Sequence, residues 1–191
     1  MLVTRDAALA QRAQIMRLHG MSRDAFDRFT AKVPSWYYEI VAPGFKYNLT
    51  DIASAMGIHQ LKRLAAFQKR REEIARQFNE AFAALPVITP PLPAAGDMHS
   101  WHLYVVRLQS DTPGARDAFI EGLFAAGIGC SVHYIPLHLQ PYWRDRYALR
   151  PEQFPHSQHA FERLVSLPMY TRMTVAHVQR VADAAKRALR S

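Results

Sequence analysis

The chain has 191 residues, enough for one domain or for one lobe of a larger protein. Hydrophobic residues make up 49% and charged residues 21%, a balance that supports a buried core and excludes a disordered chain. No apolar run approaches the roughly 20 residues needed to span a bilayer. Charged residues near the start stand where a secretory signal would need an apolar stretch. A single cysteine, Cys130, excludes an intrachain disulfide. We therefore expect a soluble protein of the cytoplasm.

The net charge of +8 comes from 24 basic and 16 acidic residues. A basic chain favours anionic ligands, among them phosphate-bearing small molecules and nucleic acid. Charge alone leaves both classes open.

The first elements are a short strand over residues 1–4 and a helix that ends at Gly20. A strand at the start needs a partner, so we expect a chain that begins in the middle of a fold. Residues 21–47 are rich in aromatic residues and irregular. Such a segment packs on its own domain or embraces a partner subunit, and the sequence alone leaves both interpretations open.

Thr50 is typical of a helix N-cap and predicts a long helix over residues 51–84, with a break near Gly57 as an alternative. Its apolar residues predict one buried stripe: Leu61, Leu64, Phe67, Ile74, Phe78 and Phe82. Its basic residues lie largely off that stripe, which favours a solvated helical face over a nucleic-acid surface: Lys62, Arg63, Lys69, Arg70, Arg71 and Arg76.

The second half of the sequence predicts a few strands among helices and long loops, which is an α+β arrangement. In chain order these are a Pro-rich connection (86–97), a strand (101–108), a helix (114–126), a strand (128–135), loops with short helix (137–165), an extended piece (166–168) and an amphipathic helix capped by Thr174 (174–190). We expect the segments 101–108 and 128–135 to pair in one sheet along which the 51–84 helix packs.

Four histidines fall in two segments, His99 and His102, then His133 and His138. A zinc site needs three or four converging ligands, and the sequence supplies no matching motif, so we predict no metal site. Cys130 follows a glycine in an apolar stretch and is predicted to be a buried, inert thiol. No nucleophile elbow, P-loop or dinucleotide fingerprint is present.

Several longer motifs carry a family resemblance. The stretch from Gly44-Phe-Lys-Tyr-Asn-Leu-Thr-Asp to Gly57 resembles the DegT/StrS family of pyridoxal-phosphate sugar aminotransferases. So do Ser100-Trp-His-Leu-Tyr-Val-Val-Arg-Leu and Gly127-Ile-Gly-Cys-Ser-Val-His-Tyr-Ile-Pro-Leu-His, which follow in the expected order. Within the family, residues 44–49 look closest to the enzymes that make UDP-4-amino-4-deoxy-L-arabinose for lipid A modification.

The resemblance implies the C-terminal lobe of a fold-type I transferase, with a small, mostly antiparallel sheet packed with helices. The implied divisions are the end of the large domain with an interface loop (1–47), connecting helices (48–85) and a small C-terminal domain (86–191). The implied reaction moves an amino group, from glutamate, to a 4-keto nucleotide-sugar of cell-surface polysaccharide or lipopolysaccharide biosynthesis. The implied assembly is a cytoplasmic homodimer with no nucleic-acid or membrane partner.

The family's Schiff-base lysine lies on a segment before the point at which this chain begins, and none of the five lysines here occupies its motif. We therefore expect no catalytic residue in this chain, which is expected to be inactive alone. A Ser-x-x-x-x-Lys segment encoded directly upstream of Met1 would restore the enzyme.

The resemblance also implies half of a shared site. Lys46 and Asn48 match a loop that reaches the cofactor phosphate of the partner subunit, although many relatives carry Asn-Tyr-Arg where this chain has Lys-Tyr-Asn. The alternative is that both residues only hold the loop to the following helix. The implied nucleotide-sugar contacts are Trp101, His102, His133 and Tyr134.

A second class of function, a stand-alone binding module for nucleic acid or another polyanion, rests on the net charge and the basic run alone. Saturable binding of one nucleotide-sugar would favour the aminotransferase. Salt-sensitive retention on heparin would report only the charge.

If residues 21–47 lie against a partner, their seven aromatic side chains are exposed in a monomer, and association follows because burial of each is worth about 1.5–3 kcal/mol. We expect backbone amides of this segment to exchange rapidly in a monomer and to become protected as protein concentration rises. Strong protection at every concentration in a monodisperse monomer would show that the segment packs on its own lobe.

Overall fold

The computed structural model describes residues 2–22 and 38–190. They fall into two compact units, residues 1–62 and 63–191. In chain order the elements are α1 (Ala7–Met16), α2 (Asp51–Phe82), β1 (Val87–Ile88), β2 (Tyr104–Leu108), α3 (Ala115–Ala125), a 3₁₀ turn (Leu137–Leu139), α4 (Pro141–Tyr147), a second 3₁₀ turn (Pro151–Gln153), α5 (Pro155–Phe161), β3 (Leu164–Leu167) and α6 (Val175–Ala188).

Helix α1 is the first element of the unit 1–62. Asp6 caps it, because its carboxylate accepts hydrogen bonds from the amides of Ala8 (2.8 Å) and Leu9 (3.1 Å). The helix ends at Met16, earlier than predicted, and Gly20 follows with φ +74°, donating its N–H to Ile15 O (3.1 Å). The predicted strand at the start is wrong for residues 2–4, which pair with no strand in the described part of the chain.

Helix α2 begins after Thr50, whose hydroxyl accepts from the amide of Ala53 (3.3 Å), as predicted. It runs unbroken through Gly57, so the alternative of a break there is wrong; one glycine in a helix costs only about 1 kcal/mol. The predicted buried stripe holds only in part. Ile74, Phe78 and Phe82 are buried, whereas Leu61 and Leu64 are 71% and 56% exposed.

The sheet in the unit 63–191 is antiparallel, with the order β1-β2-β3. Val87 of β1 pairs with Leu108 of β2, and Tyr104 of β2 pairs with Leu167 of β3. Along β2, side chains 104, 106 and 108 are buried, while 105 and 107 are more exposed, the period of two of a sheet with one covered face. The predicted α+β class with a small antiparallel sheet is confirmed.

The covered face packs against three helices. From α2 come Phe78 and Phe82, whose rings stack at 5.6 Å, and Phe78 lies 4.9 Å from the ring of Tyr104. The Tyr104 hydroxyl donates to Asn79 Oδ1 (2.6 Å), which satisfies its polar end, and burial raises its pKa far above the ordinary value. Helices α3 and α6 complete the core: Phe119, Leu123, Val178, Val181, Ala182 and Ala185.

Helices α3 and α6 approach closely at Gly122. A Cβ built there would lie 2.8 Å from Ala188 Cβ, so no larger residue fits without a shift. Helix α6 begins at Thr174, as predicted, with a reciprocal capping box between Thr174 and His177.

The predicted strand over residues 128–135 is wrong. Only Ser131 joins the sheet, through a single bridge to Ser166 of β3, and β2 pairs instead with β1 and β3. The physical reason is that this apolar run lacks an alternation of buried and exposed residues: Ile128 is buried, but Tyr134 and Ile135 are both exposed.

Phe78→Ala is predicted to lower the free energy of unfolding by about 3–5 kcal/mol, because it leaves a cavity against Tyr104. Leu64→Ala on the same helix is the matched control and is predicted to change it by about 0.5 kcal/mol or less. Urea unfolding followed by circular dichroism measures both. A Leu64 variant as unstable as the Phe78 variant would show that the first half of α2 is covered in solution.

Candidate functional site

Residues 45–47 form an extended segment held by the turn that follows α1. Phe45 N–H donates to Met16 O (2.7 Å), Tyr47 N–H donates to Arg17 O (2.8 Å), and Phe45 O accepts from His19 N–H (2.9 Å). Lys46 lies between these bonds and bridges to Leu18. The backbone that carries Lys46 is therefore fixed at both neighbouring residues.

Side chains on this segment divide between two sides. Phe45, Tyr47 and Leu49 line an apolar groove of about 1160 Å³ beside α1, and the rings of Phe45 and Tyr47 stack at 5.0 Å. Because successive side chains of an extended backbone point to opposite sides, Lys46 and Asn48 share the other side. The sequence alternates accordingly between apolar and polar residues.

The polar side fits an anion. Lys46 is exposed and makes no ion pair with any residue of the described ranges, so its charge is available. Asn48 is half-buried and carries a carboxamide that can donate two hydrogen bonds. An ammonium beside an amide donor is a chemistry that suits a phosphate.

Trp101 belongs to the core of the unit 63–191. It is 4% exposed and has φ +46°, and its backbone N–H donates to His99 Nδ1 (2.9 Å) while the two rings lie 4.2 Å apart. His99 is held in turn from α2, because Gln68 Nε2 donates to its carbonyl oxygen. The indole thus packs in the core beside the turn, and it also lines a small pocket with Gln68 and His99. The neighbouring His102 is exposed.

His133 is the best-positioned of the predicted substrate residues. Its Nδ1 lies 2.9 Å from Ser166 Oγ and 3.2 Å from Ser131 Oγ, and its ring meets that of Tyr134 edge-on at 4.7 Å. Tyr134 is 76% exposed. His133 and Tyr134 therefore form one partly open pair.

The predicted substrate residues lie on two segments, one before β2 and one after α3. In the described part of the chain, no hydrogen bond or ring contact joins Trp101 or His102 to His133 or Tyr134. Sequence reasoning missed Ser131 and Ser166. The Ser-x-His spacing at 131–133 places both side chains on one side of an extended backbone and could have indicated the first; nothing local indicates the second.

His138 and Cys130 have structural surroundings. His138 is buried, with Nε2 2.9 Å from Gln158 Oε1 and its ring stacked on Phe154 at 4.9 Å. Cys130 is half-buried, and burial raises the pKa of its thiol, which keeps it protonated.

Within residues 2–22 and 38–190, no three His, Cys, Asp or Glu side chains gather as metal ligands. Nor does any helix in those ranges combine the length and apolar character that a membrane span needs.

Three known proteins are similar to this chain, one in sequence and two in structure. The spore coat polysaccharide biosynthesis protein SpsC of Bacillus subtilis is 39% identical over 97% of this chain and 48% of its own length. Spr1654 of Streptococcus pneumoniae, named as a sugar aminotransferase and solved in its PMP form, is 28% identical with a TM-score of 0.87, over 98% of this chain and 46% of that one. Helicobacter pylori PseC, an aminotransferase involved in the biosynthesis of pseudoaminic acid, is 26% identical with a TM-score of 0.84, over 98% of this chain and 48% of that one.

The chain spans about half the length of the curated relatives it matches. A family model for the DegT/DnrJ/EryC1/StrS aminotransferases matches residues 1–186, in agreement with the motifs at residues 44–57, 100–108 and 127–138. With nearly every residue inside that match, the chain belongs to the DegT/DnrJ/EryC1/StrS aminotransferase family.

Proposed function

We propose that this chain is the C-terminal half of a pyridoxal-phosphate-dependent aminotransferase that transfers an amino group, from glutamate, to a 4-keto nucleotide-sugar. The observation that carries the proposal is the family match over residues 1–186 together with coverage of 46–48% of each relative's length. The remaining half would carry the cofactor lysine. On this proposal residues 1–47 end the large domain, 48–85 connect, and 86–191 form the small domain.

The sugar is a finer part of the proposal. The names of SpsC and PseC connect those proteins to a spore coat polysaccharide and to pseudoaminic acid. Residues 44–49 favour a relative of the UDP-4-amino-4-deoxy-L-arabinose enzymes. For this chain the proposal is a role in cell-surface polysaccharide or lipopolysaccharide biosynthesis, in the cytoplasm.

The cofactor is proposed from the PLP and PMP forms in which Spr1654 has been solved. When bound, pyridoxal phosphate supplies the group that stores the amino group between donor and acceptor. Lys46 and Asn48, on the polar side of the 45–49 segment, would bind its phosphate in a second copy of the chain. His133 and Tyr134, with His102, would contact the nucleotide-sugar, and Trp101 would hold the turn before β2.

The alternative of a polyanion-binding module gains no support from the basic residues of α2. Arg70 donates to Met173 O (2.6 Å) and to Glu73 (2.7 Å), Arg76 pairs with Glu80 (2.8 Å), and Arg63 lies 4.7 Å above the ring of Phe67. These contacts already engage three of the basic side chains that a polyanion would have to bind.

The 191-residue chain mixed with pyridoxal phosphate is predicted to show no visible absorption band beyond that of the free cofactor, because the lysine that binds the cofactor covalently is not among its five. Absorption spectroscopy followed by borohydride reduction and mass spectrometry tests this. A stoichiometric adduct on one lysine of this chain would contradict the proposal.

Reconstitution tests the activity. The chain is co-expressed with the N-terminal half of SpsC, and amino transfer from glutamate to a UDP-4-keto sugar is measured.

Lys46→Ala is predicted to weaken pyridoxal phosphate binding about 10–100-fold, since a charge-assisted hydrogen bond is worth about 1.5–3 kcal/mol.

Lys62→Ala is the control, because Lys62 is also exposed but lies on α2, outside the 45–49 segment. If both variants bind the cofactor as tightly as the unsubstituted chain, Lys46 is not part of the site. If both variants bind it equally weakly, only net charge matters.

A further inference from the structure

The hydroxyl of Ser166 is buried and has one partner. Ser166 is 3% exposed, and its backbone N–H and C=O both pair with Ser131, at 2.7 and 3.1 Å. Among the described residues, the hydrogen bond of its side chain goes to Nδ1 of His133 at 2.9 Å. A buried hydroxyl hydrogen that is not donated costs free energy, so donation of this hydrogen to Nδ1 is the favoured arrangement.

That donation decides the tautomer of His133. In that arrangement Nδ1 accepts, and the proton of the neutral imidazole resides on Nε2. The second hydroxyl, Ser131 Oγ, approaches the same nitrogen at 3.2 Å, but an accepting Nδ1 offers one lone pair, which favours the shorter contact to Ser166. Nε2 has no hydrogen-bond partner in residues 2–22 and 38–190, so its N–H is available to a ligand.

We propose that Ser166 is a positioning residue, whose buried hydroxyl holds the His133 imidazole by Nδ1 so that the Nε2–H donates to an acceptor oxygen of the nucleotide-sugar. This proposal rests on the substrate role proposed for His133. The anchor is rigid because Ser166 lies in β3, opposite Val105 in the middle of the β2–β3 register, whereas His133 lies on an irregular segment.

The tautomer is measured without ligand. Long-range proton–nitrogen NMR of the 15N-labelled chain, above the pH range in which imidazoles titrate, shows which ring nitrogen carries the proton, and the His133→Gln spectrum identifies the signals. We expect the wild type to carry the proton on Nε2 alone. Ser166→Ala is expected to shift His133 to the mixture of tautomers shown by His59, an exposed histidine of α2.

Ser166→Thr keeps the hydroxyl and is expected to restore the wild-type pattern, which a purely structural loss of packing would not do. Ser131→Ala is expected to produce a smaller change, since its contact is longer. A wild-type proton on Nδ1, or an unchanged His133 pattern in Ser166→Ala, would overturn the proposal.

Titration with UDP-glucose separates this proposal from the proposed function. We expect Ser166→Ala to weaken binding about fivefold, as for loss of one ordinary hydrogen bond, with Ser166→Thr unchanged. If His133→Gln leaves the affinity unaltered while the tautomer result holds, Ser166 does position the ring but His133 is no substrate residue. If His133→Gln weakens binding and Ser166→Ala does not, the positioning role is wrong.

Discussion

Burial of one face of the β1–β3 sheet by the second half of α2 is the interaction on which the unit 63–191 depends. Phe78 and Phe82 cover Tyr104, and the same stretch of helix reaches two loops through polar side chains. Gln68 holds the carbonyl of His99, and Arg70 holds that of Met173, just before α6. The helix that supplies the core therefore also fixes the turn before β2 and the entry to the last helix. Packing of the core and positioning of the turn before β2 therefore depend on the same helix.

Local signals in the sequence predicted much of this fold. The caps at Thr50 and Thr174 act over three residues, and the alternation of β2 acts over five, so both can be read from a short window. The amphipathic stripe of α2 was different. Periodicity shows which side chains share a face, but not whether anything covers it, and Leu61 and Leu64 remain exposed. Residues 128–135 have the composition of a strand without its alternation, and composition misled.

The sequence likewise predicts some features of the candidate site and not others. Lys46 and Asn48 share a side because the chain alternates from Phe45 to Leu49, which the sequence displays directly. Ser166 meets His133 across 33 positions, through the pairing of β3 with Ser131, and no local pattern carries that contact. Trp101 lies in a stretch that matches the family motif, but its side chain is buried. Its backbone N–H bonds to His99 and stabilises the turn before β2. A family motif can therefore include a residue whose side chain is buried.

The two borders of the sheet carry a consequence for self-association. β1 is only two residues long and is followed closely by Pro90 and Pro91, with Pro86 before it, so its outer border offers few N–H groups. On the other side, Ser131 occupies the centre of β3 with two backbone bonds. Neither border can template a further strand along its length. Exposed apolar side chains can thus promote association between side-chain surfaces, whereas addition of further strands is disfavoured at both edges of the sheet.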